Sequence, residues 1–296
     1  MTSDAILITA AAGQTGGHAA RQLLKAGHPV RAMVRQQDTR SEALAAAGAE
    51  VVVGDMNDAA SVRRALDGVK RAYFCAPWQP RVLESTTRFA LIGRELGLEV
   101  TVNMSQMIVR EGHPSPATRE HWLAEHVLDW AGVGACHLRA GLFADNMLGL
   151  AGPTVASERR IYLPFGKGLH APVTTEDVGA VVAGLLSAPA DAHTGERLVV
   201  TGPEDLTIDQ VADAIGEVVS DEVQYVQIPV SAWLENLKQL PQMNAHFLAH
   251  LEQLAPEVAR GAFAGPSDVV ARVGGRPPKS FSTFAADHIA VFGGER

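Results

Sequence analysis

The stretch ILITAAAGQTGGHAA, Ile6 to Ala20, constrains this chain more than any other. An apolar run leads into a turn of small residues and then into a helix-like segment. That order builds a strand, a tight turn and a helix whose first backbone N–H groups lack intrahelical partners. Together with the helix dipole, those groups favour an anion such as a pyrophosphate. Gly13 and Gly16 let backbone approach a phosphate closely, and Gly17 keeps the helix start uncrowded. Ala10 stands where the first glycine of such a turn is expected. A plain strand-to-helix turn without a ligand has the same pattern, so the rest of the chain must decide.

Short apolar runs alternate with helix-like segments through the first 140 residues. Strands are expected at 5–9, 29–34, 50–54, 71–76, 99–105 and 135–139, and several intervening helices end in glycine. Apolar runs without polar alternation suit strands buried on both faces. The expected fold is α/β, a doubly wound parallel sheet of the Rossmann type with a smaller C-terminal α/β portion that binds substrate. Beyond residue 140 the rhythm loosens. A helix capped by Thr174, with Asp177 three positions on, follows a loop, and GERLVVTG (195–202) is another strand. Residues 1–140, with about 173–202, are assigned to the nucleotide-binding domain; about 141–172 and 203–296 form the substrate-binding portion.

A net charge of -8 without a Lys/Arg-rich run argues against direct nucleic-acid binding. No apolar run is long enough to span a bilayer. The N-terminus shows no signal-peptide pattern, and Cys75 and Cys136 sit in apolar runs rather than a paired framework. A cytoplasmic protein without membrane contact is expected.

A dinucleotide site usually carries Asp or Glu about 20 residues after the turn, where it holds the ribose 2′-hydroxyl. Here that region reads VRAMVRQQD, with Arg31 and Arg35 and no acid at the strand end. A guanidinium there pairs with a 2′-phosphate, so NADP is expected rather than NAD. The alternative is a solvated arginine at a strand terminus. In GDMNDAAS, Asp55 can accept from an adenine amino group with Met56 beside the base, or Asp55 can serve an Asx turn ahead of a helix capped by Asp58.

The segments ITAAAGQTG, VRAMVR, GDMND, CHLRAGLFADNML, APVTTEDVGAVVAGLL and FSTFAADHIAVF together resemble the NmrA-like group of atypical short-chain dehydrogenases/reductases. The resemblance covers nearly the whole chain. That group's usual turn is TGATGxxG, so Ala10 replaces its first glycine and Ala12 its threonine, while Gly13 and Gly16 are kept. Ala10 weakens binding if its methyl meets cofactor or if the position needs positive φ. The resemblance implies a cofactor set of Ala10, Gly13, Gln14, Thr15, Gly16, Arg35, Asp55, Met56, Ala76, Pro77 and Phe143.

The main short-chain dehydrogenase group uses a Tyr-x-x-x-Lys pair, and none of Tyr73, Tyr162 and Tyr225 lies in that context. Matching EHVLDWAGV to isoflavone-reductase-like relatives puts His121 where they carry a catalytic lysine; relatives resembling quinone or dye reductases carry histidine there. Glu125 lies four residues on, on the same helical face, and is expected to raise the His121 pKa and make it a proton donor near neutral pH. A surface pair stabilising the helix is the alternative. Ser105 ends the fifth strand, where open sheets bind ligands and the main group has a substrate-orienting serine. Asn146, beside Phe143, matches the segment flanking the nicotinamide. Trp233 and Phe247, in an apolar C-terminal region, are expected to contact substrate, although ordinary core would use the same residues. His121 and His126 are five apart, and His246 and His250 have no third ligand nearby in sequence, so no metal is expected.

These features lead to an NADPH-dependent reductase of a small, largely apolar, conjugated or cyclic substrate: a quinone, imine or enone. One alternative is an NAD(P)-sensing regulator acting through a protein partner. The other is a cofactor-free enzyme using the same pocket for cyclisation, dehydration or isomerisation.

Overall fold

The computed structural model describes residues 5–76, 81–240 and 243–294. Strand and helix alternate from the start: β1 (Ile6–Ile8), α1 (Gln14–Lys25), β2 (Val30–Val34), α2 (Thr39–Ala46), β3 (Glu50–Val53), α3 (Ala59–Leu66), β4 (Arg71–Phe74), α4 (Val82–Glu95), β5 (Val100–Gln106), α5 (Pro116–Ala131) and β6 (Ala135–Ala140). The second half contains α6 (Asn146–Leu150), α7 (Gly152–Glu158), β7 (Arg160–Leu163), α8 (Thr175–Ser187), β8 (Arg197–Val200), α9 (Ile208–Val219) and β9 (Gln224–Gln227). Then come α10 (Val230–Leu237), α11 (Ala245–Ala259), α12 (Val269–Gly274), α13 (Phe281–Asp287) and a closing 3-10 helix (Ile289–Phe292).

Seven strands form one parallel sheet in the order β3-β2-β1-β4-β5-β6-β8. Parallel pairing needs crossovers, and the helices that supply them bury both faces of the sheet. On one face Ile8, Tyr73, Val102 and Leu138 pack with α1, α8 and α12; on the other Leu7, Phe74 and Ala135 pack with α3, α4 and α5. The strand order reverses between β1 and β4, and such a switch point opens a crevice outside the carboxyl ends of the strands. The Rossmann-type sheet expected from the apolar runs is the one observed.

A separate core surrounds the parallel pair β7-β9, with Ile161, Phe165, Ile215, Trp233, Val258, Phe281 and Phe292 at its centre. The strand β7 and the short helices α6 and α7 have no counterpart among the elements expected from sequence. They are too short to show a period, and packing in the second core holds them, α7 against the closing 3-10 helix and β7 against β9 and α10. Asp177 joins the two parts: its carboxylate accepts from the Lys279 backbone at 2.9 Å and pairs with Arg276 at 3.0 Å. The Thr174 cap forms as expected, accepting from Asp177 N at 3.0 Å.

Candidate functional site

The turn after β1 is held from three sides. Thr9 N donates to Tyr73 O at 3.1 Å, Ala11 N to Met33 O at 3.2 Å, and Gly13 N to Ala10 O at 2.8 Å. Thr9 Oγ1 also accepts from Cys75 N at 2.9 Å. Gly13 caps α1 in extended conformation with no side-chain cap, so the first helical N–H groups remain available to an outside acceptor. A Cβ on Gly16 would lie 2.6 Å from Ala10 O, which is why only glycine fits there. Ala10 has φ 49, the left-handed region that disfavours any residue with a Cβ. Its methyl is therefore strained rather than neutral. Gln14 is exposed, and Thr15 turns its hydroxyl inward to Tyr73 OH at 2.9 Å.

A cleft opens beside this turn, lined by Ala10, Met33, Val34, Arg35, Gly54, Asp55, Met56, Asn57 and Cys75. Arg35 stands exposed at its lip and has no ion-pair partner among the described residues. Arg31 is different: at the other end of β2 it binds Glu50 at 2.9 Å and the carbonyls of Ala65 and Asp67 at 3.0 and 2.7 Å. Asp55 forms the Asx turn, accepting from Asn57 N at 2.8 Å, and still faces the cleft. Met56 is buried in the core beneath the same wall. Ala76 follows the cleft-lining Cys75, and Pro77 lies outside the described residues. Burial pushes the Cys75 thiol up to about 11, which keeps it protonated and unreactive.

At the carboxyl ends of β5 and β6 the structure revises the expected chemistry. Ser105 Oγ donates to Glu125 Oε1 at 2.6 Å. Arg139 grips the same carboxylate through Nε at 3.0 Å and Nη2 at 2.7 Å, and Arg197 lies 3.3 Å away. Burial works against the Glu125 charge, but these hydrogen bonds and guanidinium charges outweigh it and hold the carboxyl below its usual range. Glu125 is thus the centre of a buried ion cluster that ties α5 to the sheet. His121, 8% exposed on the same helix, is pushed down to about 4 by burial, which Glu125 only partly offsets. The expectation that Glu125 lifts His121 into the neutral range is corrected: the imidazole is uncharged at pH 7. A neutral imidazole can donate one hydrogen bond to an acceptor, but it is not a charged acid. None of the tyrosines replaces it: Tyr73 lies beneath the turn, Tyr162 binds Glu158 at 2.8 Å and Tyr225 binds the Leu163 carbonyl at 3.0 Å.

The substrate candidates divide. Trp233 is 3% exposed, edge-on to Phe165 at 5.6 Å, in the centre of the second core. Phe247 is half-buried on α11 and stacks on His250 at 6.2 Å. Asn146 is exposed at the start of α6, one turn beyond the half-buried Phe143, which bridges to Val173. His250 joins the two parts, its Nδ1 2.9 Å from Ser115 Oγ at the cap of α5. Burial, with the neighbouring His121, His113 and His246, lowers His250 to about 4. Among the described residues no cluster of three or more His, Cys, Asp or Glu side chains is arranged to hold a metal ion. No helix there is long and apolar enough to cross a membrane.

Tyr73, Arg139, Arg197, His113 and Ser115 were not anticipated. Tyr73 had one visible signal, a phenol within the otherwise apolar run AYFCA.

The profile of the NmrA-like family matches residues 2–264. The chain belongs to the NmrA-like family. The NAD(P)H azoreductase of Xenophilus azovorans is 28% identical over 296 residues, covering 97% of this chain and 99% of that protein. The NADPH-dependent quinone oxidoreductase QOR2 of Escherichia coli, solved with NADPH, matches with a TM-score of 0.83 at 23% identity, covering 96% of this chain and 99% of that one. NmrA, a negative transcriptional regulator solved with NAD, matches with a TM-score of 0.80 at 15% identity, covering 98% and 97%. At such identities the two structures speak for the fold alone. The oxidoreductase class of this NmrA-like chain follows from relatives that span its length.

Proposed function

We propose that this chain is an NADPH-dependent reductase of a small, largely apolar, conjugated or cyclic acceptor of the quinone, imine or enone type. The observation that carries this reading is Arg35, exposed at the lip of the cleft without an ion-pair partner among the described residues, at a strand end that bears no acid. A guanidinium there favours a 2′-phosphate over a free 2′-hydroxyl. The first N–H groups of α1 would hold the pyrophosphate, and Asp55 and Met56 would flank the adenine. The cofactor, when bound, supplies a hydride; the protein need only align the acceptor and exclude water. In this reading His121 donates a hydrogen bond to the acceptor as a neutral imidazole, and the last proton comes from solvent.

Calorimetric titration of cofactor-stripped protein with NADPH, NADP+ and NADH tests the first half. Binding is expected to favour the phosphorylated forms, and Arg35→Ala to weaken NADPH by about tenfold or more while leaving NADH unchanged. No binding of any form would overturn the proposal. NADPH oxidation against a panel of quinones, imines and enones tests the second half.

The engagement of Ser105 and Glu125 in the ion cluster favours a second reading, an NAD(P) sensor working through a protein partner, because it leaves little acid–base machinery. Binding of oxidised and reduced cofactor with equal affinity, and no turnover, would support it. The same engagement speaks against a cofactor-free cyclase, dehydratase or isomerase, since of its acid–base candidates it leaves only His121 outside the cluster.

A further inference from the structure

The phosphate-type turn carries a defect and a device beside it. The defect is Ala10, an L-residue at φ 49 whose carbonyl supports both Gly13 N and the close approach of Gly16. The device is Tyr73. It lies in the middle of the sheet on β4, wholly buried, and its backbone carbonyl accepts from Thr9 N at 3.1 Å. Its side chain runs beneath the turn, and the hydroxyl meets Thr15 Oγ1 at 2.9 Å. A tyrosine hydroxyl buried in an apolar core takes a hydrogen-bond partner, because leaving it unpaired costs about 1–3 kcal/mol of what the ring gains by burial. Here it has two partners: Thr15, the second residue of α1 and one position before Gly16, and the Cys75 thiol on the cleft side.

We infer that Tyr73 is a positioning residue for the dinucleotide turn: its hydroxyl holds Thr15 inward, so that the N–H groups of Thr15 and Gly16 face outward in register for a pyrophosphate. This rests on the reductase reading above, since it supposes that a dinucleotide binds there. Without the Tyr73 bond the Thr15 hydroxyl is free to rotate outward into the anion's place, and the first turn of α1 has no side-chain cap to steady it. Tyr73 touches no reacting atom and acts only through Thr15.

The test is a double-mutant cycle on cofactor affinity, read by calorimetry on the stripped protein rather than by turnover. Tyr73→Phe keeps the ring and removes the hydroxyl; Thr15→Ala removes the other half; Thr15→Ser keeps a hydroxyl. Tyr73→Phe and Thr15→Ala are each expected to raise the NADPH Kd about three- to tenfold, the size of one lost hydrogen bond. The double variant should be no weaker than either single one, and Thr15→Ser should restore most of the affinity. Urea unfolding of each variant, run in parallel, registers any purely structural role. If wild type binds NADPH but Tyr73→Phe binds it equally well, the positioning role is overturned and the cofactor reading stands. Additive losses in the double variant would overturn it as well. If wild type binds no form of the cofactor, the reductase reading fails and this inference falls with it. Should Tyr73→Phe not fold, Thr15→Ala at the half-exposed turn carries the same test alone, and an unchanged Kd there refutes it.

Discussion

Replacing Glu125 by glutamine separates a structural carboxylate from a catalytic one. In the native chain Glu125 is fully buried and faces Arg139 at 2.7 Å, Arg197 at 3.3 Å and the Ser105 hydroxyl at 2.6 Å. Breaking a buried ion pair from one side costs about 3–5 kcal/mol, because the other charge is left unmatched. Two features place this case at the lower end. The Arg139 and Arg197 side chains are 22% and 33% exposed, so water can take over part of the lost contact, and Arg197 retains Asp129. Glutamine also keeps an acceptor for Ser105. A loss of about 3 kcal/mol is expected, a large share of the 5–15 kcal/mol typical of a folded chain. Urea unfolding at pH 7, followed by tryptophan fluorescence, measures it; turnover with NADPH and a quinone is recorded where the variant remains folded. A modest, few-fold fall in turnover is expected. Unfolding within about 1 kcal/mol of wild type, together with turnover lower by about a hundredfold, would refute the reasoning and return Glu125 to the chemistry.

Ala10→Gly relieves φ 49 at the turn. An L-residue there costs about 1–2 kcal/mol, and the extra freedom of unfolded glycine takes back about 0.4–1 kcal/mol, so a gain of about 0.5–1 kcal/mol is expected in urea unfolding, with NADPH affinity equal or higher. A less stable variant would contradict this. His121 and His250, both near 4 when folded, make the seam between α5 and α11 acid-sensitive. For a base whose folded pKa is depressed, stability is fully present above the unfolded value near 6.5 and is lost as pH falls toward 4. Between pH 7 and 5.5 each should contribute a loss of about 1 kcal/mol, while the carboxylates held below their usual range stay ionised throughout that interval. His250→Gln should remove about 1 kcal/mol of the dependence, the rest of which His121 shares with His18, His113, His137 and His170, all lowered by burial; a flat profile between pH 7 and 5.5 would show that these imidazoles are not buried neutral.

Much of this protein is written in local order. Apolar runs of five to seven residues, alternating with helices that stop at glycine, point to a parallel sheet wrapped on both faces, because such runs suit strands buried on both sides and the helices supply the crossovers. Gly13 and Gly16 in the turn and Arg35 at the end of β2 are legible for the same reason: their places depend on backbone near them in sequence. Only the folded chain decides what the polar residues do. Helical spacing puts His121 and Glu125 on one face, and from that alone a charged couple follows. The sheet instead brings Arg139 and Arg197 to Glu125 from 14 and 72 residues away, and burial rather than the carboxylate governs His121. Tyr73 is an apolar-run residue until β4 lies beside β1, and then its hydroxyl lies under the turn. Hydrogen-bond partners and desolvation are set by neighbours distant in sequence, so a charge state, unlike a strand, cannot be read from periodicity.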